Sequence, residues 1–169
     1  MDKLKNKIPL VRFPEFKADW INEQLGKHIK KTDKKNKENL NLPVYSINNK
    51  EGFLPQSEQF DGVNSNDRGF DISIYKIIQP NTFAYNPARI NVGSIGYSDN
   101  LSNILISSLY VCFQTDDIID DSFLLAFLET NSFKTSVLRF QEGGVRQYLF
   151  FDNISKIKLP FPTLPEQKK

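Results

Sequence analysis

With 169 residues, 39% of them hydrophobic and 12% aromatic, the chain has enough apolar side chains for one packed domain and too many to stay disordered. Its apolar runs end at about five residues, against the roughly 20 of a membrane-spanning helix, so no bilayer span is expected. No apolar leader follows Met1, so the chain is expected in the cytoplasm. One cysteine (Cys112) and one histidine (His28) exclude an internal disulfide, a Cys/His zinc site and the usual histidine-based catalytic triads.

The net charge of +2 conceals a division. Residues 1–37 hold 11 Lys or Arg against 5 Asp or Glu, and the remainder holds 11 against 15. A basic stretch of this kind is either a solvated segment or a source of non-specific attraction to phosphates. The chain has 17 Lys and only 5 Arg. Each position that uses the planar guanidinium is therefore informative.

Pro9 and Pro14, set among apolar residues, predict an extended arm over residues 1–16 that Trp20 pins down. Trp20, Ile21, Leu25 and Ile29 have helical spacing, which predicts a short helix over 20–29, with His28 an exposed ring among lysines. After a polar loop, 42–47 reads as a strand, 48–52 as a turn with Gly52 at positive φ, and 52–70 as irregular. Strands are expected over 70–78 and, most strongly, over 104–113, which should be central in a sheet with Cys112 an inert core thiol.

Asp120-Asp121-Ser122 opens a helix whose apolar stripe is Phe123, Leu124, Phe127 and Leu128, and a second helical piece covers 132–140. Gly143-Gly144 is read as a turn into a strand over 145–151. Thr163-Leu-Pro-Glu166 has the pattern of a capping box, so a helix begins where only three residues remain, and the expectation is that it continues in a longer protein. Helices and strands intermix without a βαβ repeat, which places the chain in the α+β class.

Three segments concentrate side chains that pair with phosphates and base edges. The densest is Phe83 to Gly96, with Tyr85, Asn86, Arg89, Asn91 and Ser94, followed by Tyr97. It lacks the Gly-Lys-Ser/Thr of a phosphate-binding loop and the strand-loop-helix setting of a dinucleotide site. Asn86-Pro87 matches half of an adenine-methyltransferase motif, but Ala88 and Arg89 replace its second proline and aromatic residue, and no glycine-rich methyl-donor loop accompanies it. The bland alternative is that Asn86-Pro87 forms a turn and Arg89 pairs with a carboxylate. The second segment, 46–68, offers Ser46, Asn48, Asn49, Gln56, Asn66 and Arg68; the third, 139–147, offers Arg139, Gly144, Arg146 and Gln147. Four of the five arginines thus lie in or beside glycine-containing loops.

Five stretches in order carry a resemblance: Pro9-Leu-Val-Arg-Phe-Pro-Glu-Phe16 with Trp20 and Leu25-Gly26, Tyr85 to Gly96, Ile106-Ser-Ser-Leu-Tyr-Val111, Gly144-Val-Arg146, and Ile157 to Gln167. Together they resemble a target recognition domain of the specificity subunit of type I restriction-modification enzymes. The resemblance implies one mixed α/β domain over 1–162, with a twisted, mainly antiparallel sheet and a few short helices. Residues 163–169 would start a long spacer helix leading to a second such domain. It also implies a non-catalytic chain that reads one half of a split double-stranded DNA target. No cofactor or metal is expected in the chain itself; S-adenosylmethionine, ATP and magnesium belong on the modification subunits and on the restriction subunits reached through them. The rival readings are a protein- or carbohydrate-binding module gripping its ligand with Phe53, Phe60 and Tyr97, and an intrinsic adenine methyltransferase.

Overall fold

The computed structural model describes residues 11–59 and 69–169. Its ten strands form three sheets. Strand β1 (Ile21–Gln24) pairs antiparallel with β10 (Lys158–Phe161). A four-stranded sheet has the order β2 (Ile29–Thr32), β9 (Val111–Thr115), β6 (Phe83–Tyr85), β7 (Ile95–Tyr97), antiparallel throughout. A second has the order β4 (Gly52–Pro55), β3 (Val44–Asn48), β8 (Ile104–Ile106), β5 (Lys76–Ile78), with β3 and β8 parallel. Five helices accompany them: α1 (Gln56–Gln59), α2 (Asp121–Glu129), α3 (Asn131–Phe140), α4 (Phe151–Ile154) and α5 (Leu164–Gln167). The result is the mixed, mainly antiparallel α/β architecture with short helices that the sequence implies.

The principal core lies between the β2-β9-β6-β7 sheet and the helices. Phe83, Tyr85 and Phe113 from the sheet meet Leu124, Phe127 and Leu128 of α2, Phe133 and Val137 of α3, and Leu149, Ile154 and Ile157. Phe83 and Phe113 stack at 5.1 Å with their planes 4° apart. Cys112 lies on the other face, in a smaller cluster with Ile47, Ile78, Ala84, Ile104 and Ile106. Burial pushes its thiol up to about 12, so it is un-ionised at neutral pH and serves as core, as its apolar neighbours predict.

The two long helices form where local signals are strongest. Asp120 caps α2 by accepting from the Ser122 and Phe123 amides. Thr130 ends α2 and caps α3, its hydroxyl accepting from the Phe133 amide. The 48–52 turn is also as expected: Asn48 Oδ1 accepts from the Lys50 and Glu51 amides, and Gly52 has φ +71°.

Several local expectations are corrected. The segment 52–70, expected to be irregular, holds β4 and α1 in its described part, because Gly52–Pro55 pairs antiparallel with β3. Residues 20–29 are not a helix but β1, a single 3₁₀ turn (Leu25–Lys27) and the start of β2. The Leu25 and Gly26 amides donate to the carbonyls of Ile157 and Ser155, so distant chain takes the donors a helix would need. His28 is buried, its ring nitrogens 2.9 Å from Asp116 and 3.0 Å from Glu23, because two carboxylates supply the partners that solvent would otherwise provide.

Within 70–78, Asp71 accepts from the Ser73 amide and fixes a 3₁₀ turn (Ile72–Ile74), which leaves only β5 as strand. The apolar run 104–113 is two strands in two sheets, each central in its own, with residues 107–110 crossing between them. The strand expected over 145–151 is absent: residues 145–150 continue a closed loop, and Phe151 opens α4. At the C-terminus α5 begins as expected, but Thr163 makes no side-chain cap; Glu166 turns instead to Arg12 and Trp20, which hold it more strongly than an amide would.

Among the described residues no helix is long and apolar enough to cross a membrane.

Candidate nucleic-acid interface

At one end of the β2-β9-β6-β7 sheet the chain leaves β6 into Asn86-Pro87, where Asn86 Oδ1 accepts from the Ala88 amide and the Asn86 amide donates to the Ser94 carbonyl. This turn and a following 3₁₀ turn (Ile90–Val92), closed by Gly93 at φ +89°, present Arg89 and Asn91 to solvent. Glycine suits position 93 because the left-handed conformation strains most residues with a Cβ.

A second loop approaches from residues 142–148. Its neck is a reciprocal backbone pair, Glu142 amide to Tyr148 carbonyl at 2.8 Å and Tyr148 amide to Glu142 carbonyl at 2.7 Å. Gln147 Nε2 donates to the carbonyls of Gly143 and Gly144 and closes the interior. Gly143 has φ +134°, and a Cβ there would collide with the Arg146 carbonyl. The outcome is a braced finger whose tip carries Val145 and Arg146, both exposed.

Turn and finger enclose an open groove of about 810 Å³ lined by Asn86, Pro87, Ala88, Arg89, Asn91, Leu109, Val145, Arg146, Gln147 and Tyr148. A smaller depression of about 280 Å³, lined by Ile47, Asn48, Asn49, Lys50 and Arg89, adjoins it through Arg89. Among the described residues, the only charged ones lining either are Lys50, Arg89 and Arg146, so the described lining carries positive charge alone. Neither Arg89 nor Arg146 has a carboxylate partner among the described residues. Both guanidiniums keep their full set of donors for a ligand. A third groove, lined by Asp116, Asp117, Asp120 and Asp121, has the opposite charge and repels phosphate.

The fold therefore gathers Asn48, Asn49, Asn86, Arg89, Asn91, Arg146 and Gln147 around the two adjoining depressions, from three separate segments of sequence; Gly144 lines neither, and its carbonyl accepts from Gln147 inside the finger. Gln147 acts there as the internal brace of the finger, with its amide nitrogen already donating twice. Tyr85 is buried and its hydroxyl donates to the Leu149 carbonyl at 2.9 Å; burial raises its pKa far above the ordinary tyrosine value. Ser94 and Ser46 are buried as well. These three hold the scaffold and do not reach a ligand. Tyr97 is tied through its hydroxyl to Asp121 at 2.6 Å and Asn81 at 2.9 Å; burial first, and then Asp121, raises its pKa.

Gln56 lies half-buried in α1 and has a polar partner of its own. Arg139 is exposed on α3, 5.9 Å from the Phe140 ring centre, and lines neither depression. Asn66 and Arg68 lie outside the described residues, as does Phe60. Sequence reasoning overlooked Lys50, Leu109 and Val145. The available signal was an apolar residue set directly after paired glycines, where alternation has no core to face.

A family model described as the type I restriction modification DNA specificity domain matches residues 19–169. No curated protein matches the chain in sequence. Among solved structures, an HsdS subunit from Thermoanaerobacter tengcongensis is similar with a TM-score of 0.64 and 14% identity, over 94% of this chain and 41% of that one. A type I restriction-modification S subunit from M. genitalium is similar with a TM-score of 0.56 and 13% identity, over 97% and 39%. A chain from a type I R-M system, solved to explain complex assembly and conformational transition, has a TM-score of 0.56 and 16% identity, over 95% and 37%. This chain spans about two fifths of the length of each, and at these identities the likeness is one of fold.

Proposed function

Because the chain belongs to the type I restriction modification DNA specificity domain family, we propose that it is a non-catalytic, sequence-specific domain reading one half of a bipartite double-stranded DNA target. The observation that carries this is the groove in which Arg89 and Arg146, from loops 57 positions apart in sequence, stand exposed with no carboxylate among the described lining residues. Such a surface attracts phosphate and leaves planar donors free for the edge of guanine.

Lys50 and backbone amides position the domain on phosphates, and Arg89, Arg146, Asn49, Asn86 and Asn91 supply base-edge contacts, while Asn48 holds the turn that presents Asn49 and Lys50. Each good bidentate pair contributes about 1–3 kcal/mol of discrimination. In this reading the recognition domain spans 1–162, and 163–169 begin the spacer to a second half-site reader. Modification subunits bring S-adenosylmethionine and methylate an adenine in the target. Restriction subunits, with ATP and magnesium, join through them, all in the cytoplasm where the DNA lies. The interaction-module reading loses support: Phe53 packs against the smaller core cluster and the Tyr97 hydroxyl is already engaged.

The test is methylation-aware sequencing of DNA from cells that express the full-length protein with its modification subunits. A split methyladenine motif whose one half changes when this domain is exchanged supports the proposal. An active complex whose motif is indifferent to the exchange refutes it.

A further inference from the structure

The finger over residues 142–148 holds an apolar side chain where the fold has no use for one. Val145 is fully exposed at the tip, next to Arg146, and packs against nothing among the described residues. Leu109, 75% exposed, lines the same groove, as do Pro87 and Ala88. The finger is also rigidly mounted. Besides the neck pair and the Gln147 brace, Glu142 accepts from Asn153 Nδ2 at 2.7 Å, and the Tyr148 ring stacks on Phe150 at 5.6 Å and 8°. A braced loop delivers its tip at a defined position, so the ordering cost of binding is already met in the free protein.

Resting on the DNA-recognition reading above, we infer that Val145 reads the C5-methyl group of a thymine in the major groove, on the base pair next to the one Arg146 contacts. Major-groove edges present donors and acceptors that an aliphatic side chain cannot use, and one apolar group, the thymine methyl, that it can. Consecutive Cα atoms stand about 3.8 Å apart and base pairs about 3.4 Å along the helix, so neighbouring tip residues meet neighbouring base pairs. The half-site therefore contains a thymine, adjacent to a guanine paired by Arg146.

The probe is a duplex carrying the motif established by methylation-aware sequencing, with deoxyuridine replacing thymine at one half-site position at a time. Deoxyuridine removes the methyl and keeps every hydrogen-bonding group. Binding is measured for the full-length protein assembled with its modification subunits, as wild type and as Val145→Ala. For wild type, one position shows about a fourfold loss of affinity, the size expected for one buried methyl. Val145→Ala binds the thymine duplex at that weaker level and loses nothing more with deoxyuridine. Thermal melting stays unchanged, because the side chain touches nothing among the described residues.

A half-site without thymine overturns the inference, as does wild-type binding indifferent to deoxyuridine everywhere, the behaviour of a side chain that wedges between bases. A deoxyuridine penalty that persists in Val145→Ala assigns the contact to another residue and overturns it too. If the complex shows no sequence-selective binding at all, the DNA-recognition reading itself fails, a result distinct from the other three.

Discussion

Arg12 and Glu166, 154 residues apart, form a two-pronged ion pair: guanidinium Nε and Nη2 each donate to one carboxylate oxygen at 2.7 Å. Trp20 Nε1 donates to the same carboxylate at 3.2 Å, and its ring meets Phe123 of α2 edge-on at 6.1 Å. The segment before β1 is thereby fastened to the start of the last helix.

The pair makes stability depend on pH at the acid end. Arg12, through its hydrogen bond, holds the Glu166 carboxyl below the usual carboxylate range. A depressed folded value stabilises above the unfolded pKa of about 4.3, and the contribution disappears as pH falls through the folded value. Glu166→Gln is expected to lower Tm by a few degrees at pH 7. Circular-dichroism melts from pH 7 downward should show the difference from wild type shrinking below about pH 4.3; a constant difference would exclude this linkage.

Arg146→Ala is expected to weaken binding to the cognate duplex by roughly 5- to 150-fold, the equivalent of one bidentate base contact, and to relax selectivity at one base pair. Tm should not move, since the side chain has no partner among the described residues. Arg89→Lys is expected to fail in the same assay, because a point charge cannot reproduce the fork. Fluorescence anisotropy with cognate and single-mismatch duplexes separates the two effects.

Binding should fall steeply with salt, and Lys50→Ala should reduce the slope of log K against log salt concentration by about one while weakening all sequences alike. Titrations at several salt concentrations decide this. A sequence-dependent loss would instead make Lys50 a base reader.

Tyr85→Phe should cost about 1 kcal/mol of folding stability through the lost hydrogen bond to the Leu149 carbonyl, without changing DNA selectivity. Urea denaturation gives the first number and the duplex assay the second. A selective loss of binding would return Tyr85 to the interface.

What could be read from sequence divides along the range of the forces involved. Helices α2 and α3 were legible because Asp120, Thr130 and the apolar spacing act within a few residues. The Asn48–Gly52 turn was legible for the same reason. Strand β1 was not, since its partner lies at 158–161; Leu25 and Ile29 are buried as a helix would bury them, but by two separate elements. His28 looked solvated among lysines until Asp116, 88 positions away, supplied a buried partner.

The site follows the same rule. Arg89 and Arg146 stood out because arginine beside glycine is unusual in a lysine-rich chain. The burial of Tyr85, Ser94 and Ser46 depends on how sheets and helices pack, which no local pattern encodes. The strand expected over 145–151 was an apolar pattern without a sheet to join, since Gly143 and Gln147 fold the chain back on itself first.

The neck of the finger is joined backbone to backbone, so its integrity does not depend on which side chains sit at its tip. If the proposed reading holds, substitutions at 145 and 146 would alter which duplex is preferred while leaving the scaffold's energetics almost untouched. The vocabulary of the domain could then change one codon at a time, without passing through unfolded intermediates.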